Sequence, residues 1–222
     1  MKTTHPQLNR RQFLQRLGAA VAVPFVVPAR VLGLDGAVAP SNRITFGAIG
    51  VGNRARHILP NFLSFAEIQW IAVTDARAER LASAKELIDT HYGNKDCRAY
   101  ADFRELLAQK DIDAVLIATG NRWHAMASMF ASHAGKDIYC EKPISLTIRE
   151  GRMLVETCRR HGTIYQAGTQ RRSTASYQFA REMVRQGKIG RVHTVESQVW
   201  CGGTVPHQKP APVPAGLDYD QW

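Results

Sequence analysis

The 222-residue sequence predicts an α/β fold: a doubly wound parallel sheet followed by the start of a second, truncated α/β domain. Three observations carry that prediction. From Arg43 onward, short apolar runs alternate with helix-period segments, the pattern that lays parallel strands between two helical layers. A glycine-rich stretch, GAIGVGNRA, joins the first run to the first helical segment. Asp75 stands where the second run ends.

The elements follow in order. Residues 43–49 are a short apolar strand, residues 55–64 a helix, and residues 68–74 a second strand. Residues 76–92 are rich in Ala, Leu, Glu and Lys, which lose little rotamer freedom in a helix. Residues 98–100 form a short third strand, and residues 103–109 a helix. The unbroken apolar run 114–118 marks a strand buried on both faces. A helix over 123–134, a strand over 137–140, a helix over 148–160 and a strand over 163–167 complete six strands. Beyond Gly168 the rhythm changes to a helix over 175–185, a turn over 187–190 and an alternating, half-exposed strand over 192–200. The proline-rich stretch TVPHQKPAPVPAG follows. One helix and one strand cannot bury a core, so residues 169–222 read as the incomplete beginning of a second domain after one spanning 42–168.

The first 39 residues read as an address. A basic segment precedes an apolar run over 17–27 that is too short and too interrupted by proline to span a bilayer. Arg10 and Arg11 stand paired ahead of Phe13 and Leu14, and NRRQFLQ resembles the twin-arginine signal, which implies export to the periplasm or an equivalent compartment. This segment holds five basic side chains against Asp35, +4 of the chain's net +10. The remaining +6 is scattered over helical surfaces without an aromatic-interleaved stripe, so nucleic acid is not an expected partner. Cys97, Cys140, Cys158 and Cys201 lie at no metal-ligand or redox spacing, so free thiols and no metal site are expected.

The chemistry lies at the carboxyl ends of the strands. Gly50 allows the tight turn after the first strand, Gly52 lets backbone approach a pyrophosphate, and Ala55 fills the third small position, with Asn53 and Arg54 between them. Asp75, 23 residues after Gly52, can accept hydrogen bonds from ribose hydroxyls. The frame predicts a dinucleotide site. Asp75 would repel a 2′-phosphate, favouring NAD, while Arg77 and Arg80 keep NADP open. ATGNRWH follows the central strand and YCEKP the next, so Thr119, His124, Glu141 and Lys142 are expected to converge on the nicotinamide end, with Asn121 a further cofactor-binding candidate in the first segment.

With these motifs in hand, residues 42–222 resemble the Gfo/Idh/MocA family of oxidoreductases: GxGxxA, Asp75, the 119–124 segment, AGKDIYCEKP and QAGTQRR recur in that order. The resemblance implies a Rossmann domain and hydride exchange with a hydroxyl of a sugar, polyol or related small molecule. Lys142 would lie between nicotinamide and substrate and exchange the reacting hydroxyl's proton, with Glu141 holding the nicotinamide ribose. Trp123 and His124 match a pair beside the cofactor; Gln170 and, on the substrate side, Arg172 match positions at the site's mouth. Gly120 replaces the proline usual after this threonine. The acid/base histidine of the family's second domain has no match, so the sequence reads as an N-terminal piece of a longer, oligomeric enzyme, or a cofactor-binding remnant. A glycosidase of the same fold that borrows NAD transiently is the alternative, and the lysine of EKP weighs against it.

Overall fold

The computed structural model describes residues 28–34, 38–198, 202–203 and 206–222. Residues 1–42 and residues 43–222 are separate units. In the first, the described residues include two short 3-10 turns, Ala29–Val31 and Pro40–Asn42. The arginine pair and apolar run of the export segment lie outside the described residues. Among the described residues, no helix is long and apolar enough to cross a membrane.

The second unit runs β1 (Ile44–Ile49), α1 (Asn53–Leu63), β2 (Ile68–Thr74), α2 (Ala78–Tyr92), β3 (Arg98–Tyr100), α3 (Phe103–Leu107), β4 (Ala114–Ile117), α4 (His124–His133), β5 (Asp137–Glu141), α5 (Ile148–His161), β6 (Tyr165–Gly168) and α6 (Ala175–Arg185). The sheet order is β3-β2-β1-β4-β5-β6, and every pairing is parallel. The predicted doubly wound sheet is therefore the observed one. The order reverses between β1 and β4, where diverging connections leave a crevice above the strand ends.

Side-chain alternation explains why the central strand β4 is apolar throughout. On β4, Val115 and Ile117 pack with Leu106 of α3 and Ala127 and Ala131 of α4. Leu116 points the other way, into a cluster with Leu59 of α1 and Ile88 of α2. Burying both faces takes the central strands out of water, each large aliphatic side chain contributing about 1.5–3 kcal/mol.

Several boundaries move for local reasons. Gly52 acts as N-cap, so α1 begins at Asn53 rather than residue 55. Helix α2 begins at Ala78 rather than residue 76, because the Asp75 carboxylate accepts a hydrogen bond from the Arg77 amide and Arg77 bridges to Leu217. Helix α5 opens on a capping box, Thr147 with Glu150, and closes on left-handed Gly162. One prediction is corrected: residues 192–198 form no strand, and residues 199–200 lie outside the described residues. Alternation prepares a segment for a sheet, but a strand exists only where a neighbour takes its backbone N–H and C=O groups, and none of the described residues does so here.

Candidate functional site

The turn from β1 into α1 is built on glycine. Gly50 has φ +79°, and a Cβ there would lie 2.7 Å from the backbone N and Cα of Thr119. No other residue fits without separating β1 from the β4 loop. Gly52 starts α1 without a side-chain cap, leaving the first-turn N–H groups for an anion. Asn53 and Arg54 stand exposed on that turn. Asp75 fixes the opposite lip: its carboxylate accepts from the Val51 amide at 2.8 Å and from the Arg77 amide at 2.8 Å. Each oxygen keeps a lone pair for a hydroxyl.

Between these lips lies a cleft of about 600 Å³ over the ends of β1, β2 and β4, a volume within the range of small-molecule and cofactor sites. Thr119, Asn121 and Trp123 line it, together with Asp75 and Arg80 rather than with Lys142. Gln221 and Trp222 also line it. Sequence reasoning missed both, since they follow a proline-rich stretch with no periodic pattern.

The second cluster centres on Glu141, which is only 3% exposed. Arg54 Nη2 meets its Oε1 at 2.9 Å, and Gln170 Nε2 donates to the same oxygen. A Cβ on Gly168 would lie 3.1 Å from Glu141 Oε1 and 3.2 Å from Gln170 Nε2, so a glycine there leaves room for the contact. Three predicted site residues thus converge. Lys142 is exposed, and its ammonium has no hydrogen-bond or ion-pair partner among the described residues, which leaves it available to a ligand. Neither Glu141 nor Lys142 lines the 600 Å³ cleft; Arg54 is the side chain that touches both cluster and cleft.

His124 is a correction. It is 1% exposed and does not face the cleft; Nδ1 lies 2.6 Å from the Pro143 carbonyl and Nε2 3.1 Å from the Thr119 carbonyl. Carbonyl oxygens only accept, and a neutral imidazole has one N–H to give them while the cation has two. The ring therefore ties the end of β4 to the segment after Lys142 from within the protein. Arg172 is exposed and lies in a separate groove of about 270 Å³ with Arg171, Tyr177 and Arg181.

The arrangement can hold a dinucleotide and present a lysine amine beside it. Cys97, Cys140 and Cys158 are free, as expected, and all three are buried, while Cys201 lies outside the described residues. Burial pushes the Cys97 thiol up to about 12 and raises those of Cys140 and Cys158, so none is a ready nucleophile. Among the described residues there is no metal-ligating cluster.

Comparison with known proteins agrees with this geometry. Residues 44–169 match the family described as "oxidoreductase family, NAD-binding Rossmann fold". The chain is 28% identical over 173 residues to the myo-inositol 2-dehydrogenase of Thermotoga maritima, covering 78% of this chain and 47% of that one. It is 33% identical over 97 residues to the 2,7-anhydro-N-acetylneuraminate hydratase of Mediterraneibacter gnavus, covering 44% of this chain and 26% of that one. The crystal structure of scyllo-inositol dehydrogenase from Lactobacillus casei, with bound NAD(H) and scyllo-inositol, superposes with a TM-score of 0.60 at 29% identity. That match covers 67% of this chain and 42% of the other. The chain thus spans less than half the length of these relatives.

Proposed function

Because the chain belongs to the Gfo/Idh/MocA oxidoreductase family, with its NAD-binding Rossmann fold, we propose that its protein is an NAD-dependent dehydrogenase oxidising a hydroxyl of a cyclic polyol or sugar. The observation that carries the reading is the pairing of a dinucleotide cleft with an unpartnered lysine on the adjacent strand end. Bound NAD would supply the hydride acceptor. The α1 turn and Asp75 would hold pyrophosphate and adenosine ribose; Thr119, Asn121 and Trp123 would wall the cofactor. Glu141, oriented by Arg54 and Gln170, would hold the nicotinamide ribose. Lys142 would take the hydroxyl proton as the carbinol hydrogen leaves with its electron pair, and pass that proton to solvent. His124 would position Lys142 from behind. Arg172 would stand on the substrate side, and residues 169–222 would contribute to substrate binding.

The test is formation of reduced nicotinamide from NAD by the purified protein with myo-inositol, scyllo-inositol and simple sugars. Turnover with a polyol or sugar, falling roughly 10²- to 10⁴-fold in Lys142→Ala, is expected. Absence of turnover in a sample that binds NAD contradicts the activity, and turnover untouched by Lys142→Ala contradicts the role of the lysine.

We further infer export by the twin-arginine route, supported by Arg10, Arg11 and the apolar run after them. That route suits a domain that must fold around its cofactor before it leaves the cytoplasm. Replacing both arginines by lysine keeps the charge and removes the recognised pair, so the protein should remain in the cytoplasm on fractionation. Undiminished export contradicts the inference.

A further inference from the structure

The last described segment after the proline-rich stretch does not simply lie on the surface. Arg77 and Leu217 form an antiparallel bridge; the Ala78 amide donates to the Gly216 carbonyl and the Asp218 amide to the Ala76 carbonyl, each at 2.9 Å. These partners directly follow Asp75, the carboxylate placed for the adenosine ribose. The chain then turns: the Gln221 amide donates to Asp218 Oδ1 at 3.1 Å, and the Trp222 amide to the Asp218 carbonyl at 3.0 Å. Gln221 Nε2 reaches Asp102, beyond the end of β3, at 3.3 Å. The Trp222 carbonyl accepts from Trp123 Nε1 at 3.2 Å and from Arg122 Nη2, on the far wall after β4. Residues 216–222 therefore strap one wall of the cleft to the other.

The strap delivers an aromatic plane. Trp222 lines the cleft yet remains 49% exposed. The Arg122 guanidinium lies 4.4 Å from its ring centroid, a cation–π contact that orients the indole. Asp75, Arg80 and Gly52 lie in the same cleft, which identifies this as the adenosine half. A purine presents two apolar faces and no charge, so what it asks of this half is a flat surface that excludes water.

We infer that Trp222, held by Arg122 and the strap, is a cofactor-binding residue whose ring packs against the adenine of the dinucleotide. The inference rests on the dinucleotide reading of the cleft. Loss of base–aromatic stacking, worth about 1–3 kcal/mol, weakens binding on the order of tenfold.

Calorimetric titration of the full chain with NAD and with adenosine monophosphate tests it. Trp222→Ala should weaken both about tenfold with an unchanged melting temperature, since the residue is not part of the core, and Trp222→Phe should keep binding within about threefold of the parent because a ring remains. Parent-like affinity of Trp222→Ala for both ligands overturns the assignment while leaving the dinucleotide reading intact. Tighter binding also overturns it, because the ring would then occupy the site rather than line it. A parent protein that binds neither ligand overturns the dinucleotide reading and this inference together.

Discussion

Glu141 shows how one residue can be both legible and incomplete in a sequence. A carboxylate 3% exposed would be costly alone, because a buried charge loses several kcal/mol of hydration. Arg54, 87 positions earlier, and Gln170, 29 positions later, compensate it, and no spacing rule links three residues so far apart. The motif thus names the residue, and the fold alone supplies the partners that aim it. The tight turn at Gly50, the helix start at Gly52 and the place of Asp75 beside that turn were legible, since each sits at a fixed offset from the first strand. The sequence puts His124 at a helix start but not in space: such a histidine can point to the cleft or to the protein, and only the carbonyls of Thr119 and Pro143 decide. Trp222 was not legible, because its position depends on a bridge between Arg77 and Leu217, 140 residues apart.

At the scale of elements, the central strand β4 is the most legible, because it is buried throughout and reads as an unbroken apolar run, while β3, Arg98–Tyr100, has no buried residue and is marked only by its place between two helices. Periodicity failed over residues 192–198, where alternation has no neighbouring strand among the described residues to pair with. The β1–α1 turn is the element with least tolerance. In Gly50→Ala, a left-handed φ of +79° costs about 1–2 kcal/mol, and the new methyl must also enter the space of Thr119 backbone atoms that β4 holds in place. A total loss above about 2 kcal/mol should lower the melting temperature by roughly 4–8 °C for a domain of this size. A shift under about 1 °C would mean that the turn relaxes freely and does not lock β1 to β4.

At the scale of the molecule, the parallel sheet in 3-2-1-4-5-6 order brings the ends of β1, β2 and β4 to one crevice, with the Glu141–Lys142 edge on the strand beyond. Arg54, Arg80 and Arg122 line this crevice, whereas Arg171, Arg172 and Arg181 line a separate groove. The central claim is that this crevice takes NAD with its adenosine ribose against Asp75. Calorimetric titration of the parent protein and Asp75→Ala with NAD and NADP tests it most directly. The account predicts that the parent prefers NAD by about tenfold or more, from hydroxyl hydrogen bonds gained and phosphate repulsion avoided, and that Asp75→Ala narrows this preference by weakening NAD. Equal or tighter binding of NADP by the parent, or an NAD affinity indifferent to Asp75, would contradict it.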